Sequence, residues 1–210
     1  MFQHSATLPT CPQKTRPTLT SKALPFPTPE TELLLIIELR DVEPVVWRRV
    51  VVPRDVTLNE LHVVLIVTMG WEGDHLHEFK IGEERYGIPD PDGWDSPVTL
   101  EEGVRLIDAL AGKKSFRYLY DFGDGWDHLV KIENLPAGAT FPHLPYCLEG
   151  ANACPPEDIG GPRGYAGFVE ALADPRHPDH KEMKRMFRPP FEPTEFDMAL
   201  TNHWLLDVFS

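Results

Sequence analysis

Nine consecutive residues, Tyr120-Asp121-Phe122-Gly123-Asp124-Gly125-Trp126-Asp127-His128, set the strongest limit on how this chain folds. They hold three carboxylates, two glycines, three aromatic rings and a histidine, and they lie between two strand-like runs, Phe116 to Phe122 and Trp126 to Leu135. Glycine permits the positive φ that a tight reversal needs, and aspartate closes such turns with its own side chain. The two runs are therefore expected to be antiparallel arms of one hairpin. Because both arms are rich in apolar residues, that hairpin belongs inside a sheet with further strands beside it.

Those neighbours can be read from the flanking sequence. Glu32 to Arg40 contains the unbroken apolar run Leu33 to Ile37 and reads as a buried strand; Val45 to Val52 follows after Asp41 to Pro44 and is rich in β-branched residues. Thr57 with Glu60 three residues on is a capping box, and Leu58, Leu61, Val64 and Leu65 recur at helical spacing until Gly70. His75 to Ile81 alternates, so His75, His77, Phe79 and Ile81 are expected on one face. Asp90 to Asp95 reads as a loop, and Leu106, Ile107 and Leu110 mark a short helix before Gly112.

Residues 137 to 162 carry Pro142, Pro145, Pro155, Pro156 and Pro162 and read as a long loop. Three helices are then expected: Tyr165 to Ala173, Asp179 to Phe187, and an amphipathic Thr194 to Phe209 with a stripe of Phe196, Leu200, Trp204, Leu205 and Val208. Strands followed by helices indicate an α+β fold, a mainly antiparallel sheet flanked by helices in a single domain spanning 31–210. Residues 1–30, with six prolines, abundant threonine and no apolar periodicity, are expected to form a disordered leader.

Charge narrows the choice of partner. Thirty-three acidic residues against 20 basic ones give a net charge of -13, which repels a phosphate backbone, so no non-specific nucleic-acid binding is expected. Cys11, Cys147 and Cys154 are too few for a disulfide framework, and no apolar run reaches the roughly 18 residues of a membrane span. A reducing cytoplasm is the expected setting.

The chemistry-bearing residues fall in two stretches. In the central motif, Asp121, Asp124 and His128 either close a turn over a core Trp126 or converge on a pocket edge, where a carboxylate could orient a histidine or bind a cation. The second stretch runs from Cys154-Pro155-Pro156-Glu157-Asp158 to Gly160-Gly161-Pro162-Arg163-Gly164-Tyr165. It is either a rigid connector or, with Arg163, a site for an anion. If Glu157, Asp158 and Arg163 meet the hairpin, the two stretches form one polar site. His75 and His77, with His128, are candidate metal ligands, while the spacing of Cys147 and Cys154 favours packing over ligation.

Taken in order, Glu43-Pro44-Val45-Val46-Trp47-Arg48-Arg49, Leu76-His77-Glu78-Phe79, the nine-residue motif and the run from Cys154 to Tyr165 resemble the plasmid-borne family named after the third open reading frame of a Ri plasmid. The likeness spans about Leu33 to Phe209. It implies an α+β domain in the company of mobile DNA, since members are similar to passenger proteins of some insertion elements. Related chains often place a further cysteine near Ile159, and its absence here argues against a cysteine-based metal site.

Two main functions follow. The first is a non-catalytic interaction module that binds a protein or small ligand through Asp121, Asp124, Trp126, His128, Glu157, Asp158, Arg163 and Tyr165, with no cofactor. The second is a small metal-assisted hydrolase using His75, His77, Asp124 and His128 with Glu157 as base. A role as a DNA-recombination accessory rests on genetic company alone.

Overall fold

A computed structural model describes residues 31–89, 98–135, 138–187 and 190–210. The leader and the Asp90 to Asp95 loop reading lie outside these residues. The chain begins with strands β1 (Glu32–Leu39) and β2 (Trp47–Pro53), followed by helix α1 (Leu58–Met69). Next come β3 (His77–Ile81), β4 (Glu84–Gly87), β5 (Thr99–Leu100), α2 (Leu106–Leu110), β6 (Ser115–Tyr120) and β7 (Trp126–Glu133). It ends with β8 (Tyr146–Ala151), α3 (Gly161–Ala173), α4 (His180–Met186) and α5 (Met198–Val208).

One eight-stranded sheet runs in the order β5-β4-β3-β6-β7-β1-β2-β8. Every pairing is antiparallel except β4 with β5. The fold is α+β as expected, and the β6–β7 hairpin lies inside the sheet, flanked by β3 and β1. α1 begins with the capping box: Thr57 and Glu60 satisfy each other's backbone N–H groups, and Gly70 closes the helix in the left-handed conformation at φ 89°.

Register fixes which side chains share the helix-covered face. Phe79 pairs with Tyr118, Tyr118 with His128, and His128 with Leu39, while the next row runs His77, Tyr120, Trp126. All are buried, and they join one core with Leu61, Val64 and Leu65 of α1, Tyr165 and Phe168 of α3, and Leu205 of α5. Tyr120, Trp126 and His128 of the central motif thus sit under helices.

Four sequence expectations need correction. Residues 137 to 162 are not all loop: Tyr146–Ala151 forms the edge strand β8 on β2, in a proline-rich setting that masks so short a strand. β4 and β5 are likewise too short to show alternation. α3 starts at Gly161 rather than Tyr165, because proline is tolerated in the first turn of a helix.

α5 starts at Met198, where Asp197 accepts the Leu200 N–H. Its expected stripe divides: Leu205 is buried, whereas Leu200, Trp204 and Val208 are 40%, 44% and 51% exposed.

Candidate functional site

At the hairpin tip, Asp121 takes a left-handed conformation (φ 54°) and folds its side chain back onto the turn. Its Oδ1 accepts the Gly123 N–H at 2.9 Å and its carbonyl accepts the Gly125 N–H at 2.6 Å. Its own N–H donates to the Leu76 carbonyl at 2.9 Å, tying the tip to the segment before β3. These bonds hold the carboxylate in place and leave Oδ2 toward His75. Phe122 is 46% and Leu76 58% exposed on either side of it.

The glycine-rich stretch docks onto this tip. Asp124 accepts the Gly160 N–H at 3.1 Å, and the Gly161 backbone lies so close to the Asp124 carbonyl that a Cβ would come within 2.3 Å. Glu157 accepts the Tyr120 hydroxyl with one carboxylate oxygen and the Glu72 N–H, at 2.9 Å, with the other. Trp71 Nε1 donates to the Pro155 carbonyl at 2.9 Å. His75 lies between Asp121 and Asp158: its Nδ1 is 3.8 Å from the first and its Nε2 3.6 Å from the second. Glu157, Asp158, Asp121 and Asp124 therefore form one polar surface. Arg163 is exposed on α3 and joins none of these bonds.

Trp126, His128 and Tyr165 lie beneath that surface. Each is 0% exposed. His128 Nδ1 faces the Tyr118 carbonyl at 3.1 Å, so that nitrogen carries the proton, and Nε2 has no hydrogen-bond partner among the described residues. Burial lowers the His128 pKa to about 4, so the ring is neutral. Burial also pushes the Tyr165 hydroxyl up to about 12 and, together with Glu157, raises Tyr120 further. Trp71 stacks on Tyr120 at 4.9 Å and meets His128 edge-on at 5.4 Å, making it the hub of the layer.

A second buried network was not foreseen. His77 Nε2 faces both oxygens of Glu101 at 2.9 and 3.0 Å, and its ring stacks on His62 at 3.6 Å, nearly parallel. His62 Nδ1 meets the Tyr118 hydroxyl at 2.7 Å. Burial, and then the neighbouring His77, lower the His62 pKa to about 3, so His62 is neutral and accepts from Tyr118. His62, on α1, follows the apolar repeat by one position; no sequence signal marks Glu101.

The candidate metal ligands separate accordingly. Among the described residues, the group whose donor atoms lie within 4.8 Å of one another is His75, Asp121 and Asp158; His77 is paired with Glu101, and His128 lies in the core away from that group. Cys147 and Cys154 lie near the buried Arg48. Burial pushes the Cys147 thiol up to about 11 and Cys154 higher, so both stay protonated. Among the described residues, Arg48 itself has no carboxylate partner. Its guanidinium donates to the carbonyls of Thr68, Trp47, Ala151 and Asn152 and lies 3.7 Å from the centre of the Phe196 ring.

Known proteins share this architecture. A crystal structure of a protein of unknown function, MM3350 from Methanosarcina mazei Go1, superposes with a TM-score of 0.68 at 30% identity, covering 80% of this chain and 96% of that one. The uncharacterised protein y4hQ of Sinorhizobium fredii (strain NBRC 101917 / NGR234) is 49% identical over 154 residues, 70% of this chain and 76% of its own length. The family model for plasmid pRiA4b ORF-3-like proteins matches residues 32–200, the whole sheet and the start of α5, and the chain belongs to that family.

Proposed function

We propose that this domain is a non-catalytic interaction module, working beside plasmid or mobile-element genes and binding a protein or small ligand with the hairpin tip. The observation that carries this reading is the pairing of exposed apolar side chains, Leu76 and Phe122, with two carboxylates that flank His75, the anchored Asp121 and the exposed Asp158, on one surface. The backbone beneath is locked by the Asp121 and Asp124 hydrogen bonds, so little ordering cost opposes binding. A ligand with a cationic group and an apolar face complements it. Non-specific DNA or RNA binding does not, given the net charge of -13. The test is capture from host lysate by the wild type beside a Leu76→Ser, Phe122→Ser variant of equal stability. Species retained by the wild type and lost by the variant support this reading; identical profiles remove it.

One observation favours a second reading, a metal-assisted hydrolase. His75, Asp121 and Asp158 could hold a divalent cation with coordination positions left open to solvent. Glu157, held by Tyr120 and Glu72, is less free to act as base than the sequence alone implied. Calorimetric titration with zinc and manganese, wild type beside His75→Ala, decides: binding lost in the variant supports a metal site, and no heat in either removes it.

A further inference from the structure

The exposed half of α5 forms a groove with the end of α1. Val67, Gly70, Trp71, Glu72, Trp204, Asp207 and Val208 line an open groove of about 330 Å³, within the size range of pockets that bind ligands or anchor side chains. Leu200, Trp204 and Val208 recur every four residues, so they extend the apolar surface as a stripe along two turns of helix. Sequence patterning of this kind normally marks a buried face, and nothing among the described residues covers it. The rim is acidic: Glu72 and Asp207 are exposed, and neither α1 nor α5 contains a lysine or arginine.

We propose that this groove receives an amphipathic basic helix from a partner protein, with one apolar side chain against Trp204 and lysines or arginines over Asp207 and Glu72. This rests on the interaction-module reading and adds to it a second surface and the chemistry of the partner. A stripe two turns long suits a helix-in-groove mode, in which residues three and four apart anchor one face. The acidic rim selects against the anionic surface of a lipid bilayer and against a second copy of this acidic chain.

The test uses the full chain and a fluorescein-labelled 15-residue Leu/Lys amphipathic peptide, with its Leu/Glu counterpart as control, followed by fluorescence anisotropy. The Leu/Lys peptide is expected to bind the wild type at least tenfold more tightly than the Leu/Glu peptide. Trp204→Ala is expected to weaken it at least tenfold, and Asp207→Asn, which removes charge without a large change in shape, at least threefold. In the Leu76→Ser, Phe122→Ser variant, which removes any contribution of the hairpin tip to peptide binding, the tenfold effect of Trp204→Ala should persist. If only that hairpin-tip variant loses binding, the module reading stands and the groove is overturned. Equal binding of the two peptides, no binding of the Leu/Lys peptide, or no effect of Trp204→Ala also overturns it. So does a Trp204-dependent dimer in sedimentation, or Trp204-dependent binding to vesicles of anionic lipid.

Discussion

The Glu157 carboxylate accepts the hydroxyl of Tyr120 across thirty-seven residues of chain, and this bond fastens the Pro155–Gly160 segment to the sheet. The same carboxylate takes the solvent-exposed Glu72 N–H, so removing it breaks two bonds and leaves the part-buried Tyr120 hydroxyl without its acceptor, whereas removing the Tyr120 hydroxyl breaks one and leaves no donor behind. Glu157→Ala is therefore expected to cost about 1–3 kcal/mol and Tyr120→Phe about 0.5–1.5 kcal/mol. Urea unfolding with unchanged m-values would measure both. Equal costs would mean that the Glu72 bond contributes nothing.

His128 makes stability depend on pH. Its folded pKa of about 4 lies below the ordinary 6.5, so the unfolded chain binds the proton first. Stability from this residue is complete above about pH 6.5 and falls as the pH drops toward 4, by on the order of 3 kcal/mol. His62, lowered to about 3, acts in the same direction over a wider range. The wild type should lose urea midpoint steadily between pH 6.5 and 4, and a His128→Gln variant should show a shallower slope. Parallel slopes would show that His128 is protonated in the folded protein.

The same residue shows where sequence reading stops. The hairpin, the capping box of α1 and the α+β class were legible because each depends on local chemistry: glycine φ, a side chain reaching a free N–H, the period of apolar residues. The meeting of Asp124 with Gly160 stayed open in the sequence, since it depends on where two distant segments pack. His128 looked like a site residue because polar residues in a motif suggest function. In the fold, its register opposite Tyr118 places it in the core. His62, Trp71 and Glu101 were overlooked for the converse reason: their partners are supplied by other elements. The stripe on α5 was legible as apolar, but periodicity cannot say whether its cover comes from the same chain.

Arg48 is expected to be among the least replaceable residues. It is 1% exposed and bridges β2, the end of α1 and the segment after β8 through carbonyls alone. A planar fork with five donors satisfies that arrangement; an ammonium on a flexible stem does not. Arg48→Lys should cost about 2–3 kcal/mol, through at least one lost charged hydrogen bond and the lost contact with Phe196. Thermal unfolding would show it, and a near-neutral result would mean that the lysine recruits the same carbonyls.

The glycines of the hairpin tip and of the stretch docked on it separate backbone strain from steric clash. Gly125 has φ +72° and nothing within 4 Å of a would-be Cβ, so Gly125→Ala meets only the left-handed penalty of about 1–2 kcal/mol. Gly161 has φ +67° and a Cβ would also lie 2.3 Å from the Asp124 carbonyl, which is backbone and cannot swing aside. Gly164 has no such φ, yet its Cβ would meet the Ile159 carbonyl at 1.9 Å. Gly161→Ala and Gly164→Ala should each cost more than Gly125→Ala, with hydrogen exchange accelerated along α3 and at Gly160, whose N–H is held by Asp124. Because that bond fastens the glycine-rich stretch to the hairpin tip, both variants should also weaken any ligand that needs Asp121 and Asp158 together, while Gly125→Ala should leave Asp158 in place. Equal exchange rates in all three would mean that α3 does not depend on its contact with Asp124.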